Sequence, residues 1–162
     1  MTRYFIILML ALFSLSALAS FPFEGVWEGS GDIRFKNFVT DSNIINGTYS
    51  SPAVRLKILK VKNTIQVDCK WDIPELDLAF SCELDSLEIC NSNDLCENDQ
   101  SVGSFSEERF GAAFWENQNW LDINIFVRIN NDESISLFQY LSKHVDGKIV
   151  YLDKAAKLYR LQ

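Results

Sequence analysis

The chain has 162 residues, 48% of them hydrophobic, with 22 acidic side chains against 15 basic ones and a formal charge of −7. That length suits one domain with a real core. Lys and Arg are scattered, with Lys57, Lys60 and Lys62 the one local group; this argues against nucleic acid as a partner, because phosphate contact needs clustered cations, and against adsorption to anionic lipid.

The first twenty residues read MTRYFIILMLALFSLSALAS. Arg3 supplies a positive start, Tyr4 to Phe13 an apolar stretch, and Ala17-Leu18-Ala19 small residues at the two positions a signal peptidase reads. The pattern predicts a signal peptide over 1–19, with cleavage after Ala19 or one residue to either side. An uncleaved anchor fits less well, because a membrane span needs about twenty apolar residues and Ser14 and Ser16 interrupt this one. No later segment has the length and apolarity of a transmembrane helix. The expected mature protein, 20–162, is therefore a single secreted or periplasmic domain. Losing Arg3 takes its formal charge from −7 to −8.

Beyond Ser20 the dominant period is two. Val54, Leu56 and Ile58 alternate with charged neighbours, and then Leu59 and Val61 take over the apolar phase, which suggests a β-bulge. Ile65, Val67, Cys69 and Trp71 alternate with polar residues, as do Leu76, Leu78, Phe80, Cys82 and Leu84, and later Leu121, Ile123, Ile125, Val127 and Ile129. Such alternation marks strands with one buried and one wet face. Asn46-Gly47, Lys62-Asn63-Thr64, Asp72-Ile73-Pro74-Glu75, Asn130-Asn131-Asp132 and Asp146-Gly147 are turn signals. Strands are predicted near 25–36, 53–62, 64–72, 76–85, 86–90, 102–107, 109–116, 120–130, 133–142 and 147–161. The last is the least certain in type, since 152–159 also reads as a short helix, or as a strand broken near Ala155-Ala156. The expected fold class is all-β, an antiparallel up-and-down barrel of about 8–10 strands, with a β-sandwich as the alternative.

The four cysteines, Cys69, Cys82, Cys90 and Cys96, allow three connectivities, and an even count in an exported chain reads as a disulfide framework. If the loop of the 64–85 hairpin is Pro74 to Asp77, Cys69 falls opposite Cys82, Trp71 opposite Phe80 and Ile73 opposite Leu78. Opposed residues have Cβ atoms about 4.5–5.5 Å apart, so a Cys69–Cys82 bridge is favoured, leaving Cys90–Cys96 to close a short loop. Free buried thiols are the competing reading.

The mature N-terminus runs Phe23-Glu24-Gly25-Val26-Trp27-Glu28-Gly29-Ser30-Gly31 and the chain ends Leu158-Tyr159-Arg160-Leu161. The F-x-G-x-W opening resembles the first strand of calycin-type barrels, which include lipocalins, fatty-acid-binding proteins, avidins and nitrobindin-like proteins. The resemblance implies that Gly25 and Trp27 close one barrel end and that Arg160 covers the indole, a favourable stacking. It spans about nine residues at one end and one at the other.

Candidate chemistry is sparse. His144 is the single histidine; nitrobindin-like barrels use one to hold haem, but it sits near a turn and reads better as a solvated residue. No nucleophile elbow, zinc motif or phosphate loop is present, and no cofactor is expected. Asp94, Glu97 and Asp99 are candidate calcium ligands, against a plainer reading as a solvated acidic loop, since the spacing is not that of an EF-hand. The candidate ligand-binding side chains are Trp71, Phe80, Phe114, Trp115 and Trp120, with core filling as the competing role. Phe126, Phe138 and Tyr140 fall out of phase with the apolar stripes and would form an interaction patch if they cluster outside. The sequence therefore points to an exported, non-catalytic barrel that binds a small apolar molecule. The alternative is a secreted or periplasmic protein-interaction or inhibitor domain with a filled barrel, working through loops such as 91–101. An enzyme of unknown type is third.

Overall fold

A computed structural model describes residues 21–40, 43–116, 121–145 and 148–162, with side chains described for all of these except 85–86, 114–116, 121–124, 143–145 and 148–149. The predicted signal peptide, Trp120 and the Asp146-Gly147 turn lie outside the described residues.

Ten strands follow one another: β1 Gly25–Val39, β2 Ile44–Val61, β3 Thr64–Ile73, β4 Leu78–Ile89, β5 Asp94–Glu97, β6 Gln100–Phe105, β7 Arg109–Glu116, β8 Leu121–Ile129, β9 Ile135–Val145 and β10 Lys148–Arg160. Each pairs antiparallel with its successor, and β1 pairs with β10 to close the barrel. The ring is joined most sparsely between β4 and β5, where Glu88 pairs with Cys96 and Ile89 with Leu95. Period-two alternation then divides each strand between wall and interior. On β3, Ile65, Val67, Cys69, Trp71 and Ile73 are buried while Gln66, Asp68 and Lys70 face water.

The β3–β4 hairpin has the register expected from its alternation, with Cys69 opposite Cys82, Trp71 opposite Phe80 and Ile73 opposite Leu78. A one-turn helix at Pro74–Leu76 makes the loop, closed by Asp77 in the left-handed region and by its N–H on the Pro74 carbonyl. Disulfides join Cys69 to Cys82 and Cys90 to Cys96.

Several expected boundaries differ. The predicted strands 76–85 and 86–90 are one strand, β4. The slip in apolar phase between Leu84 and Leu87 is a bulge, where the partner register jumps from Val67 to Ile65. The bulge expected after Ile58 is absent: the β2–β3 register runs unbroken from Ala53 to Val61, and Val61 is simply exposed. Asn46-Gly47 is not a hairpin turn. It lies inside β2, where Gly47 takes φ +121° opposite Phe35, beside a register shift between Phe35 and Phe38. Residues 152–159 are strand throughout.

Near the first residues of β1, Gly29 and Gly31 flank another register shift. A Cβ on Gly29 would stand 2.1 Å from the Lys157 carbonyl oxygen, and one on Gly31 2.3 Å from that of Ala155. The two glycines let β1 press against β10 where the wall bends.

Candidate functional site in the barrel interior

The two halves of the interior differ. At the end holding the first residues of β1, Phe21 and Phe23 fold inward and pack on Phe110, with Phe105 on Phe21. Trp27 donates its indole N–H to the Phe23 carbonyl at 3.0 Å. The Arg160 guanidinium lies 4.5 Å from the Trp27 ring centroid and donates to the Pro22 carbonyl at 2.7 Å. Gly25, with φ +137°, has the Arg160 Nε 3.7 Å from where its Cβ would be. These groups plug that end.

The other half carries polar groups. On β10, Leu152, Lys154, Ala156 and Leu158 point inward, and Lys154 is only 4% exposed. Its ammonium lies 4.8 Å from the Phe80 ring centroid and 5.5 Å from that of Trp71. Among the described residues it makes no hydrogen bond or ion pair. Desolvation pushes its pKa down from the usual lysine value to about 7, because burial disfavours the charged form and nothing nearby compensates. Opposite Lys154 in the sheet stand Gln139 on β9 and Ile33 on β1.

Gln139, also buried, bridges the interior. Its Oε1 accepts the Trp71 Nε1–H at 2.7 Å, and its Nε2 lies 3.4 Å from each sulfur of the Cys69–Cys82 disulfide. Above this layer, toward the 74–77 loop, Phe35 packs on Phe38, Tyr49 and Phe80. Phe38, Tyr49 and Phe80 are only half-buried. They form the partly exposed rim of this aromatic cluster.

Of the predicted ligand-binding residues, Trp71 and Phe80 stand opposite each other and share Lys154. Phe114 and Trp115 lie in β7 opposite Ile123 and Asp122; their side chains, and Trp120 entirely, lie outside the described residues. His144 is in β9 opposite Ile149, its side chain likewise outside the description. Asp94, Glu97 and Asp99 do not converge: among the described residues no three His, Cys, Asp or Glu side chains could share a metal ion, and Asp94 instead accepts from Asn91 Nδ2 at 3.2 Å.

Lys154 and Gln139 were missed in the sequence. Their signal is one of phase: Lys154 stands in register with Leu152, Ala156 and Leu158, and Gln139 with Ile135, Leu137 and Leu141. Reading 152–159 as a possible helix hid the first.

Outside, Phe126 and Phe138 oppose each other across β8 and β9, 50% and 49% exposed, with Tyr140 beside them. A groove of about 600 Å³ runs past them to Arg109 and Arg128. Among the described residues, no helix is long and apolar enough to cross a membrane. No protein-family model matches this chain, and no curated protein matches its sequence.

Proposed function

We propose that this is an exported, non-catalytic barrel of calycin-like build that holds a small apolar ligand in the half of its interior around Trp71, Phe80 and Lys154. The observation that carries the reading is Lys154, a buried cation with no counter-charge among the described residues, set against the Trp71 and Phe80 rings. A core selected only for packing has no use for such a group, since burying an unpaired charge is costly. The two disulfides fit an oxidising compartment, in keeping with export, and the Gly25–Trp27–Arg160 cluster suits the calycin comparison.

Titration of the oxidised chain with N-phenyl-1-naphthylamine, a neutral apolar fluorophore, tests the proposal. Saturable enhancement at one probe per chain, with quenching of tryptophan emission, is expected; no saturable response rules the reading out.

The exposed Phe126–Phe138 pair favours a second reading, a protein-interaction domain working through its outer wall. Loss of a bound protein partner on Phe138→Ser, with probe binding intact, is the result that would select it.

A further inference from the structure

We infer that the outer groove over β6, β7 and β8 seats an acidic segment of a protein partner, its carboxylates on Arg109 and Arg128 and one apolar side chain on the Phe126–Phe138 pair. This rests on the outer-wall reading and adds the chemistry of the partner; it does not depend on what the interior holds.

The register lays this surface out in two rows. Ser104, Gly111, Phe126 and Phe138 stand opposite one another in turn across β6 to β9. A Cβ on Gly111 would meet Phe126 Cδ1 at 2.8 Å, so the ring rests on the glycine, yet Phe126 and Phe138 both stay half exposed. Two residues along, on the same face, Arg109 opposes Arg128. Both line the groove of about 600 Å³, and no acid does so. Like charges directly opposed on one sheet face destabilise it. Here nothing offsets them: among the described residues neither guanidinium makes a hydrogen bond or an ion pair. Side chains 101–113 and 125–140 are all described. Of the acids among them, Asp132 holds Lys157, and Glu107, Glu108 and Glu133 leave the pair alone. The other described arginines are occupied, Arg34 by Asp153, Arg55 by Glu28 and Arg160 by the Trp27 ring.

Charge complementarity chooses the occupant. The chain carries −7 overall, so a bare arginine pair beside exposed rings is a local reversal of sign. Arginine and aromatic side chains are also the groups that dominate protein interfaces, and a guanidinium takes a carboxylate in two parallel hydrogen bonds. The groove lies open on the outer wall, whereas sites for small molecules enclose most of the ligand; a segment of protein covers such a surface from outside. A second copy docked by the same face would bring four arginines together. An extended polyanion or an anionic bilayer would also meet Glu107 and Glu108, exposed in the turn just before Arg109. A short segment with two acids beside one apolar anchor fits the groove and avoids them.

The test pans a random peptide library displayed on phage against the full oxidised wild type, Phe138→Ser and the double variant Arg109→Gln/Arg128→Gln. Removing opposed like charges should leave the urea midpoint of the double variant at or above the wild-type value, so that lost binding is not lost folding. The wild type should enrich sequences holding two or more Asp or Glu beside an aromatic residue or leucine. In calorimetry the synthetic consensus peptide should bind the double variant at least about tenfold more weakly than the wild type, and its affinity for the wild type should fall as salt rises. Enriched sequences with no acidic bias, or equal affinity for the wild type and the double variant, overturn the acidic partner and leave the outer-wall reading standing. Enrichment that is the same on Phe138→Ser, or absent throughout, overturns both. Arginine-dependent flotation with phosphatidylglycerol vesicles, or dimerisation of the wild type abolished in the double variant, would give the groove to a bilayer or a second copy and also overturns the inference.

Discussion

Trp71 and Gln139 meet across the interior of the barrel, the indole Nε1–H donating to Oε1 at 2.7 Å from strands β3 and β9, which are not neighbours in the sheet. The bond fixes which way the Gln139 amide points. With Oε1 committed to Trp71, Nε2 is turned toward the disulfide. The polar layer is therefore built from opposite walls, and each member depends on the others.

Gln139→Leu removes the acceptor and leaves a buried indole N–H unsatisfied. The expected cost is about 1–3 kcal/mol, read as a lower urea midpoint with an unchanged slope. Trp71→Phe in the same background should recover part of that loss, because it removes the orphaned donor. A double-mutant cycle over the two positions isolates the coupling.

Lys154→Met should stabilise the ligand-free protein. The side chains are close in length, and the substitution removes an unpaired buried cation, which is costly to desolvate. The sign of the pH dependence follows from the folded pKa, about 7, lying below the unfolded value. Between about 7 and the unfolded lysine pKa the unfolded chain binds more protons, so wild-type stability rises with pH through that window. The advantage of Lys154→Met is then greatest below pH 7 and shrinks steadily toward pH 10. Urea titrations at pH 6, 8 and 9.5 measure it. An advantage that does not change with pH would mean that the lysine is not held in the interior as described.

Arg160→Ala should loosen the plugged end. The guanidinium covers Trp27 and holds the Pro22 carbonyl, so its loss removes a cation–π contact worth about 0.5–2 kcal/mol and one charge-assisted hydrogen bond. Amide exchange of residues 21–27 should quicken more than that of β3, with the Trp27 emission maximum moved to the red. Lys at this position restores charge but not the planar stacking, and should rescue only in part.

Legibility in the sequence followed burial. The register of the 64–85 hairpin could be read to the residue, because its apolar face alternates without a break from Ile65 to Ile73 and from Leu78 to Leu84. The β1–β2 hairpin could not. Asn46-Gly47 looks like a turn, but β1 continues to Val39 and the pair sits at a bulge in β2. Bulges shift the apolar phase, which is why β4 looked like two strands. Arg160 was visible only through the calycin resemblance, which implies a basic side chain of the last strand over the Trp27 indole. Lys154 was not, since period-two alternation is recognised by apolar residues on the inner face, and a charge on that face interrupts it.

The most direct measurement is the titration of Lys154 itself, by NMR of the chain labelled with lysine ¹³C at Cε and assigned by the missing signal of Lys154→Met. One lysine with a midpoint near 7 is expected. A Lys154 that titrates at the ordinary lysine value of about 10.4 would contradict a buried, unpaired ammonium.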